Sequence, residues 1–220
     1  MANENVRVIV PCRIAFPRLA EAVENTLSGK MEYSVRCIVD KNDEETLKKL
    51  RAGMKNAFCQ KFGEDSSKWP PKFRKEEFFK SHLSEDGKDG CFLRDGDFVE
   101  YDYLNGNVFF DARDAAKAPR KPNRPDCGLQ LGEGKWKRLS GSAIEDELYS
   151  GCYAKVVVDL RAYDNKETNA KGISVYLKGV LKTGEGERIG SGSPLDTNAV
   201  FGEEVEGETS DFGSEDYSDL

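Results

Sequence analysis

The residues best suited to chemistry in this sequence are cations and aromatic rings that lie close together near its middle. The segment Arg113–Arg138 contains eight Lys and Arg against three acidic residues, a net charge of +5. Single-stranded nucleic acid is bound by cations that meet its phosphates and by flat aromatic faces on which its bases stack. Both are present here, and they predict a nucleic-acid site that contains Phe109, Phe110, Arg113, Lys117, Arg120, Lys121, Arg124, Lys135, Trp136, Lys137 and Arg138.

A loop and a strand extend this candidate site. The stretch Lys117–Pro125 contains three prolines, which cannot continue a helix or a central strand, so an extended basic loop is predicted; a merely solvated linker is the alternative. The strand predicted after it carries further residues of the site on the face opposite its aliphatic row: Tyr153, Lys155, Arg161 and Tyr163. Phe109 and Phe110 are adjacent and point to opposite faces of a strand, so at most one of them can stack on a base. Core packing is the alternative for every aromatic residue in the set.

The net charge of −7 argues at first against a nucleic-acid partner, but it is unevenly distributed. The last 32 residues contain nine Asp and Glu and no Lys or Arg, which leaves residues 1–188 with a net charge of +2. From Gly190 onward the sequence is rich in Gly, Ser and Thr and poor in large apolar residues, so it cannot bury enough surface to offset its ordering entropy. We therefore predict one folded domain over residues 1–190 and a disordered acidic tail over residues 191–220.

Apolar and polar residues alternate in five segments, which predicts five strands. The segments are 6–16, 30–39, 107–112, 151–164 and 171–182. Phe16 falls on the apolar face of the first, and a helical stripe capped at Asn42 and ending near Gly63 predicts one helix. The polar stretch 64–90 is interpreted as an excursion around one short helix at 75–83, outside the core. Together these elements predict a mainly β fold, a small five-stranded antiparallel barrel with one or two helices and long loops.

The available side chains exclude several kinds of catalytic or metal site. His82 is the only histidine, which excludes a metal site with several histidine ligands and nearly excludes a His-dependent triad, and it is interpreted as a surface residue. The six cysteines occur singly, without the close pairs of a zinc site, and are predicted to be reduced thiols. Asp95 and Asp97 could hold Mg²⁺, although a turn is the simpler interpretation. No apolar run approaches the roughly 20 residues of a membrane span, and we predict a protein that is not an enzyme, without metal, cofactor or membrane partner.

Four segments carry a resemblance to a known family. In chain order they are Leu93–Asp97, Asn107–Ala112, Tyr149–Ala154 and Lys171–Leu177, of which the third and fourth are the more specific. With these segments in this order, residues 6 to 190 resemble the bacteriophage single-stranded DNA-binding proteins, a family once labelled a domain of unknown function and similar to the T7-type phage protein. The resemblance implies an OB-fold, no catalytic activity, and sequence-tolerant binding of single strands during phage DNA replication and recombination, in the cytoplasm of the infected bacterium.

The resemblance also implies that the acidic tail contacts replication proteins such as polymerase and helicase–primase, and it allows a homodimer. The tail residues assigned to this contact are Glu203, Glu204, Glu206, Glu208, Asp211, Phe212, Glu215, Asp216, Tyr217 and Asp219. T7-like tails finish on an aromatic residue, whereas this one finishes Asp219-Leu220. From the basic body and the acidic tail we infer that tail and DNA compete for one groove. Two alternatives stay open: a Mg²⁺-dependent nuclease that uses Asp95 and Asp97, and a protein-interaction module whose tail mimics DNA.

Overall fold

The computed structural model of this chain describes residues 6–26 and 28–190. The chain divides into two units, Met1–Ile189 and Gly190–Leu220, and all helices and strands given below belong to the first. The predicted tail residues, from Glu203 to Asp219, lie outside the described residues. Within the described part, no helix is long and apolar enough to cross a membrane.

The described residues form eight strands and three α-helices. The strands are β1 (Val6–Asn25), β2 (Lys30–Asp40), β3 (Arg94–Asp95), β4 (Asn107–Ala116), β5 (Asp126–Gly132), β6 (Lys135–Arg138), β7 (Tyr153–Asn165) and β8 (Ala170–Gly184). The α-helices are α1 (Glu44–Phe62), α2 (Glu76–Lys80) and α3 (Ala143–Glu147).

Five of the strands close a barrel. Around it β1 pairs with β2, β2 with β4, β4 with β8, β8 with β7, and β7 with β1. The pairings are antiparallel as predicted, except that β4 and β8 meet in parallel at Arg113 and Tyr176. The strand β3 extends the β4 edge, and β5 and β6 form a hairpin that joins β8 in parallel. A small five-stranded barrel of this kind is an OB-fold, so the predicted fold is confirmed.

Strand β1 is long and bent, and its two halves pair with different strands of the barrel. Its first half, from Val6 to Arg13, pairs with β7, and its second half pairs with β2. The register of the second pairing shifts at a bulge between Ala15 and Arg18, where Phe16 adopts a φ of +48°. Phe16 is exposed at this bulge, so the prediction that it shares the apolar inner face of the strand is wrong.

The barrel strands and one face of α1 form a single buried core. Its large, fully buried members include Ile14, Leu50, Met54, Phe58, Phe110 and Leu160. The helix approaches the strands closely at Gly53, where an added Cβ would lie 2.9 Å from side-chain atoms of Leu160 and Val8. The helix lies where it was predicted, although its cap is Asp43, whose carboxylate accepts a hydrogen bond from the first turn, and not Asn42.

The segment 64–90, predicted to lie outside the core, is anchored in it by aromatic side chains. Trp69, Phe73 and Phe79 are buried, and their ring centroids lie 5.6, 4.4 and 5.4 Å from that of Phe58. The prediction is wrong because these rings supply apolar area without the periodicity of a helix or a strand. The short helix predicted in this segment is present as α2.

Candidate nucleic-acid interface

The outer face of β1, β2 and β4 contains a concave surface of about 320 Å³, which we call the outer groove. The residues that line it are Phe16, Arg18, Asn25, Glu32, Ser34, Val35, Arg36, Asp111 and Arg113. The strand register explains how they meet, since Arg18 lies opposite Ser34 and Ser34 lies opposite Arg113. One aromatic ring, three guanidinium groups and two carboxylates from distant parts of the sequence therefore share one groove.

Phe16 supplies the aromatic ring of the outer groove. It is 48% exposed, although large apolar residues are usually buried. Its φ of +48° lies in the left-handed region, which costs a non-glycine residue about 1–2 kcal/mol. The ring meets Tyr103 edge-on at a centroid distance of 6.2 Å, and the Arg36 guanidinium lies 5.7 Å from its centroid. An exposed ring on a strained backbone is a candidate platform for stacking a base.

Two carboxylates fix the guanidinium groups of the outer groove. Arg36 donates hydrogen bonds of 2.9 and 3.4 Å to Asp111, and Arg113 donates a third at 3.2 Å. Burial opposes ionisation of Asp111, but the hydrogen bonds and charges of the two arginines outweigh it and lower its pKa below the ordinary value. Glu32 lies 3.9 Å from Arg113. Arg18, by contrast, has no ion-pair partner among the described residues, so its charge is free to meet a phosphate.

The strands β5 and β6 extend the sheet of β7 and β8 and form a second candidate surface, which we call the hairpin face. The register places one row of residues across this sheet: Lys155, Leu181, Gly128 and Arg138. Arg138 forms an ion pair with Asp126. Lys155 is exposed and has no ion-pair partner in the part of the chain that the structure describes. Lys135 and Lys137 are exposed and unpaired there as well, but they alternate with Trp136 and Arg138 along β6 and lie on the other side of the hairpin. Unpaired positive charge therefore lies on both sides of the hairpin.

Trp136 covers Gly128 on the hairpin face. A Cβ added to Gly128 would lie 2.6 Å from the Trp136 ring, so glycine is needed to leave room for the indole. Trp136 is 50% exposed, and the Arg138 guanidinium lies 5.5 Å from its ring centroid. Trp69, in contrast, is 2% exposed and belongs to the core. Trp136 is therefore the tryptophan whose ring is accessible to a ligand.

Tyr153, at the start of β7, connects the two surfaces. It is 50% exposed and shares a cleft of about 320 Å³ with Arg13 and Tyr103. Tyr103 in turn contacts Phe16 in the outer groove. Arg13 is fixed beside them because its guanidinium donates a hydrogen bond of 3.0 Å to the carbonyl of Gly151. Phe16, Tyr103 and Tyr153 thus form a row of aromatic side chains from the outer groove to β7, the strand that carries Lys155 of the hairpin face.

The two phenylalanines assigned to the site from the sequence are both buried. Phe109 is 1% exposed and Phe110 is 0% exposed, so neither ring can stack on a base, and the assignment of both is corrected. Phe110 belongs to the main core, where the β4 alternation directs it. Phe109 belongs to a second, smaller buried cluster, and the guanidinium groups of Arg36 and Arg94 lie 5.0 and 4.5 Å from its ring centroid. Phe109 therefore supports the outer groove by holding Arg36.

The structure distributes the other predicted residues over three parts of the surface. Those on and beside the hairpin face are Lys135, Trp136, Lys137, Arg138, Tyr153 and Lys155. Arg113 lies in the outer groove, opposite Tyr176, whose ring centroid lies 4.7 Å from the guanidinium of Arg161. The basic loop, Lys117–Pro125, is attached to β4 by a hydrogen bond of 3.0 Å that the Asn123 N–H donates to Asp114. The exposed cations of this loop, none with an ion-pair partner among residues 6–26 and 28–190, are Lys117, Arg120, Lys121 and Arg124.

Of the residues that line the outer groove, only Arg113 was assigned to the site from the sequence, and the missed aromatic and cationic residues are Phe16, Arg18 and Arg36. The sequence does contain a signal for the exposure of Phe16: Pro17 follows it directly, and a proline within a strand marks an edge or a bulge. A bulge reverses the side to which the next side chain points, and Phe16 then faces outward. For Arg36 the signal is its place between Val35 and Cys37, because alternation along the strand puts it on the face opposite these two residues.

The pair Asp95 and Asp97 is engaged by a lysine. The Lys41 Nζ lies 2.5 Å from Asp95 and 2.6 Å from Asp97, and Asp95 caps a 3-10 turn, in agreement with the turn interpretation. Within the described part of the chain, no group of three or more His, Cys, Asp and Glu is arranged to hold a metal ion. The six cysteines are free thiols. His82 is partly exposed and pairs with Asp89.

Both the sequence and the fold match known proteins. Residues 6–212 match the family described as Enterobacter phage Enc34, ssDNA-binding protein. Putative protein p50 of Acyrthosiphon pisum secondary endosymbiont phage 1 is 28% identical over 180 residues, which cover 82% of this chain and 84% of that protein. The solved structure of the single-stranded DNA-binding protein from bacteriophage Enc34 in complex with ssDNA gives a TM-score of 0.58 at 20% identity, covering 84% of this chain and 88% of that chain. The single-stranded DNA-binding protein encoded by bacteriophage T7 gives a TM-score of 0.45 at 12% identity, covering 81% of this chain and 93% of that chain.

The family match includes every strand of the barrel, the outer groove and the hairpin face. It confirms the family resemblance that the sequence motifs carry, and the Enc34 structure has the same fold. The function after which the family is described is DNA binding and not catalysis, in agreement with the prediction of a non-enzymatic protein. The chain belongs to the Enc34 phage single-stranded DNA-binding protein family.

Proposed function

We propose that this chain binds single-stranded DNA with little sequence preference, through the outer groove and the hairpin face together. The observation that carries the proposal is Phe16, an exposed ring on a strained backbone in a groove lined by three arginines. OB-folds bind oligonucleotides on the face of their second and third strands, which here are β2 and β4. The related Enc34 protein, solved in complex with ssDNA, supports the proposal.

The two surfaces supply the two kinds of contact that a single strand needs. Phe16, Trp136 and Tyr153 offer exposed rings, and each base stacked on one contributes about 1–3 kcal/mol. Cations without ion-pair partners among the described residues, such as Arg18 and Lys155, neutralise phosphates. Stacking is independent of base identity because every base has a π face. This combination favours binding that tolerates any sequence.

The proposal places this binding in phage DNA replication and recombination, within the cytoplasm of the infected bacterium. Both processes expose single strands that a sequence-tolerant protein can cover. The support is the family, whose description names a phage protein, together with a curated relative that also comes from a phage.

The acidic tail, residues 191–220, is proposed to compete with DNA for the outer groove and to recruit replication proteins such as polymerase and helicase–primase. One support is charge, since the last 32 residues hold nine acids and no Lys or Arg. Another is Ile189, which lies two residues before the tail and is buried in one cluster with Ala15, Ile38 and Phe109 beside the outer groove. A tether of this kind holds its charges near the groove at an effective concentration on the order of millimolar. DNA that displaces the tail then frees it for partners.

Fluorescence anisotropy of labelled oligo-dT and of a matched duplex, measured across a salt series, tests the proposal. We expect oligo-dT to bind more tightly than the duplex and its affinity to fall steeply with salt. Absence of oligo-dT binding would refute the proposal and favour the protein-interaction module. Cleavage of the labelled DNA that requires Mg²⁺ would reveal the nuclease.

The tail is tested in the same titrations with a full-length variant in which its nine acids are replaced by Asn and Gln. We expect this variant to bind oligo-dT more tightly than the wild type at low salt, because its tail no longer opposes the phosphates. Pull-down of replication proteins by the wild type but not by the variant is expected as well. Equal affinity for oligo-dT at low salt would contradict competition by the tail.

A further inference from the structure

The segment Tyr149–Tyr153 forms the turn that connects α3 to β7, and of its residues only Tyr153 lies at the proposed interface. Within it, Ser150 is engaged through both of its oxygens. Its hydroxyl accepts a hydrogen bond of 2.8 Å from the Phe16 N–H, and its carbonyl accepts one of 2.8 Å from the Ile189 N–H. One serine therefore joins the backbone of the stacking ring to the last residue of the first unit.

The turn is fixed in place around Ser150. The Gly151 N–H donates a hydrogen bond of 2.7 Å to the carbonyl of Ile14, and the Ile14 N–H donates one of 3.0 Å to the carbonyl of Cys152. Gly151 has a φ of +115°, and an added Cβ would lie 1.9 Å from the carbonyl oxygen of Glu187. The turn is thus bound to β1 just before the bulge and packs closely against the end of the unit. The serine hydroxyl consequently has a defined position.

Residues 185–189, which we call the strap, cross this turn. The Tyr149 hydroxyl donates a hydrogen bond of 2.6 Å to Glu185, and the Arg188 guanidinium lies 4.3 Å from the centroid of the Tyr149 ring. The strap ends where the acidic sequence begins. Ser150 is therefore the residue at which the strap meets the bulge of β1.

We propose that Ser150 is a positioning residue for base stacking, and this inference rests on the proposed function. Its hydroxyl holds Phe16 in the left-handed conformation that presents the ring to the outer groove, and its carbonyl couples that conformation to the strap. The hydroxyl is needed because the pairing between β1 and β2 is interrupted at the bulge between Ala15 and Arg18. The Phe16 N–H is satisfied there by the serine hydroxyl. Without the hydroxyl, no hydrogen bond to this N–H offsets the free-energy cost of a φ of +48°. The backbone at Phe16 therefore relaxes out of the left-handed conformation.

Ser150→Ala and Ser150→Thr in the full-length chain, titrated with labelled oligo-dT at low salt, test this inference. We expect Ser150→Ala to bind about three- to tenfold more weakly, the fold-change that corresponds to one hydrogen bond. Ser150→Thr keeps a hydroxyl and is expected to restore wild-type affinity. The slope of affinity against salt should be the same in all three proteins, because no cation has been removed.

A double-mutant cycle with Phe16→Gly distinguishes positioning from a general loss of stability. If Ser150 acts through Phe16, Ser150→Ala has no further effect on affinity once the ring is absent. An equal effect of Ser150→Ala with and without the ring overturns the inference, as does a Ser150→Ala protein that binds like the wild type. A wild-type protein that does not bind oligo-dT at all overturns the proposed function itself.

Amide hydrogen exchange tests the coupling to the strap. Saturating oligo-dT is expected to slow exchange of the Ile189 N–H in the wild type and to slow it less in Ser150→Ala. Urea unfolding of both proteins shows whether a difference in exchange merely follows global stability. Equal slowing in the two proteins would leave the strap uncoupled from Phe16 and overturn that part of the inference.

Discussion

Replacing Phe16 by glycine separates what the ring does for binding from what its backbone conformation costs the fold. At a φ of +48°, phenylalanine carries a cost of about 1–2 kcal/mol that glycine does not. Phe16 is 48% exposed, so its removal forfeits roughly half of the 1.5–3 kcal/mol of a fully buried side chain, about 1 kcal/mol. The edge-on contact with Tyr103 adds roughly 0.5 kcal/mol at its centroid distance of 6.2 Å. These terms nearly cancel, and we expect the free energy of unfolding to change by about 1 kcal/mol or less.

The affinity of Phe16→Gly for DNA should fall much more than its stability. Loss of one stacked base corresponds to about 1–3 kcal/mol, or roughly a 5- to 150-fold increase in the Kd for oligo-dT. Phe16→Ala should bind as weakly and also be less stable by about 1–2 kcal/mol, because it loses the packing but keeps the strain. Phe98→Ala is the matched control, since Phe98 is 61% exposed and does not line the outer groove.

Two titrations decide this prediction, one with oligo-dT by anisotropy and one with urea by circular dichroism. A Phe16→Gly protein with wild-type affinity would show that the ring meets no base, and the reasoning from strain to function would be refuted. A Phe16→Gly protein destabilised by about 3 kcal/mol would show instead that the ring is kept for packing.

Three further predictions concern other contacts of the two surfaces. Gly128→Val puts a side chain where the Trp136 ring lies, so oligo-dT should quench tryptophan fluorescence less than in the wild type. Arg18→Gln should reduce the slope of log K against log salt by about 0.7, the value of one phosphate contact on a single strand. The pKa of Asp111 is lowered against the effect of burial, chiefly by Arg36, so the carboxylate stabilises the fold above its unfolded pKa of about 3.9 and loses this effect as the pH falls through its folded pKa. Urea midpoints should therefore fall more between about pH 7 and about pH 3 in the wild type than in Asp111→Asn.

The barrel could be predicted from the sequence because the inner face of each of its strands is a local pattern. In β1 the alternation of Val8, Val10 and Cys12 by itself shows which side is buried. The core contributed by the segment 64–90 has no such pattern. Trp69 and its neighbouring aromatic residues become buried because they meet Phe58 across space, and nothing in their spacing indicates that contact.

The candidate site was predictable where its residues are close in sequence. Lys135, Trp136 and Lys137 stand together on the hairpin, so their charge and aromatic character are visible in one short segment. The outer groove draws Phe16 and Arg36 from two other strands, and only the register of the pairings brings them together. The assignment of Phe109 and Phe110 failed for a related reason, because an aromatic residue beside a basic segment has the same sequence signature whether its ring is buried or exposed.

The pairing state of each cation determines what it contributes to binding. Arg36 and Arg113 already have carboxylate partners, so contact with a phosphate would disturb an ion pair and release few counterions. Lys155 and Arg18 have no partner among the described residues, and their contact with phosphates releases counterions and makes affinity depend on salt. Stacking on Phe16 depends little on salt. Lys155→Gln should therefore reduce the slope of log K against log salt. Phe16→Gly should instead reduce the affinity that persists at high salt. If one DNA strand contacts both surfaces, the two variants of this one protein should show these two different effects.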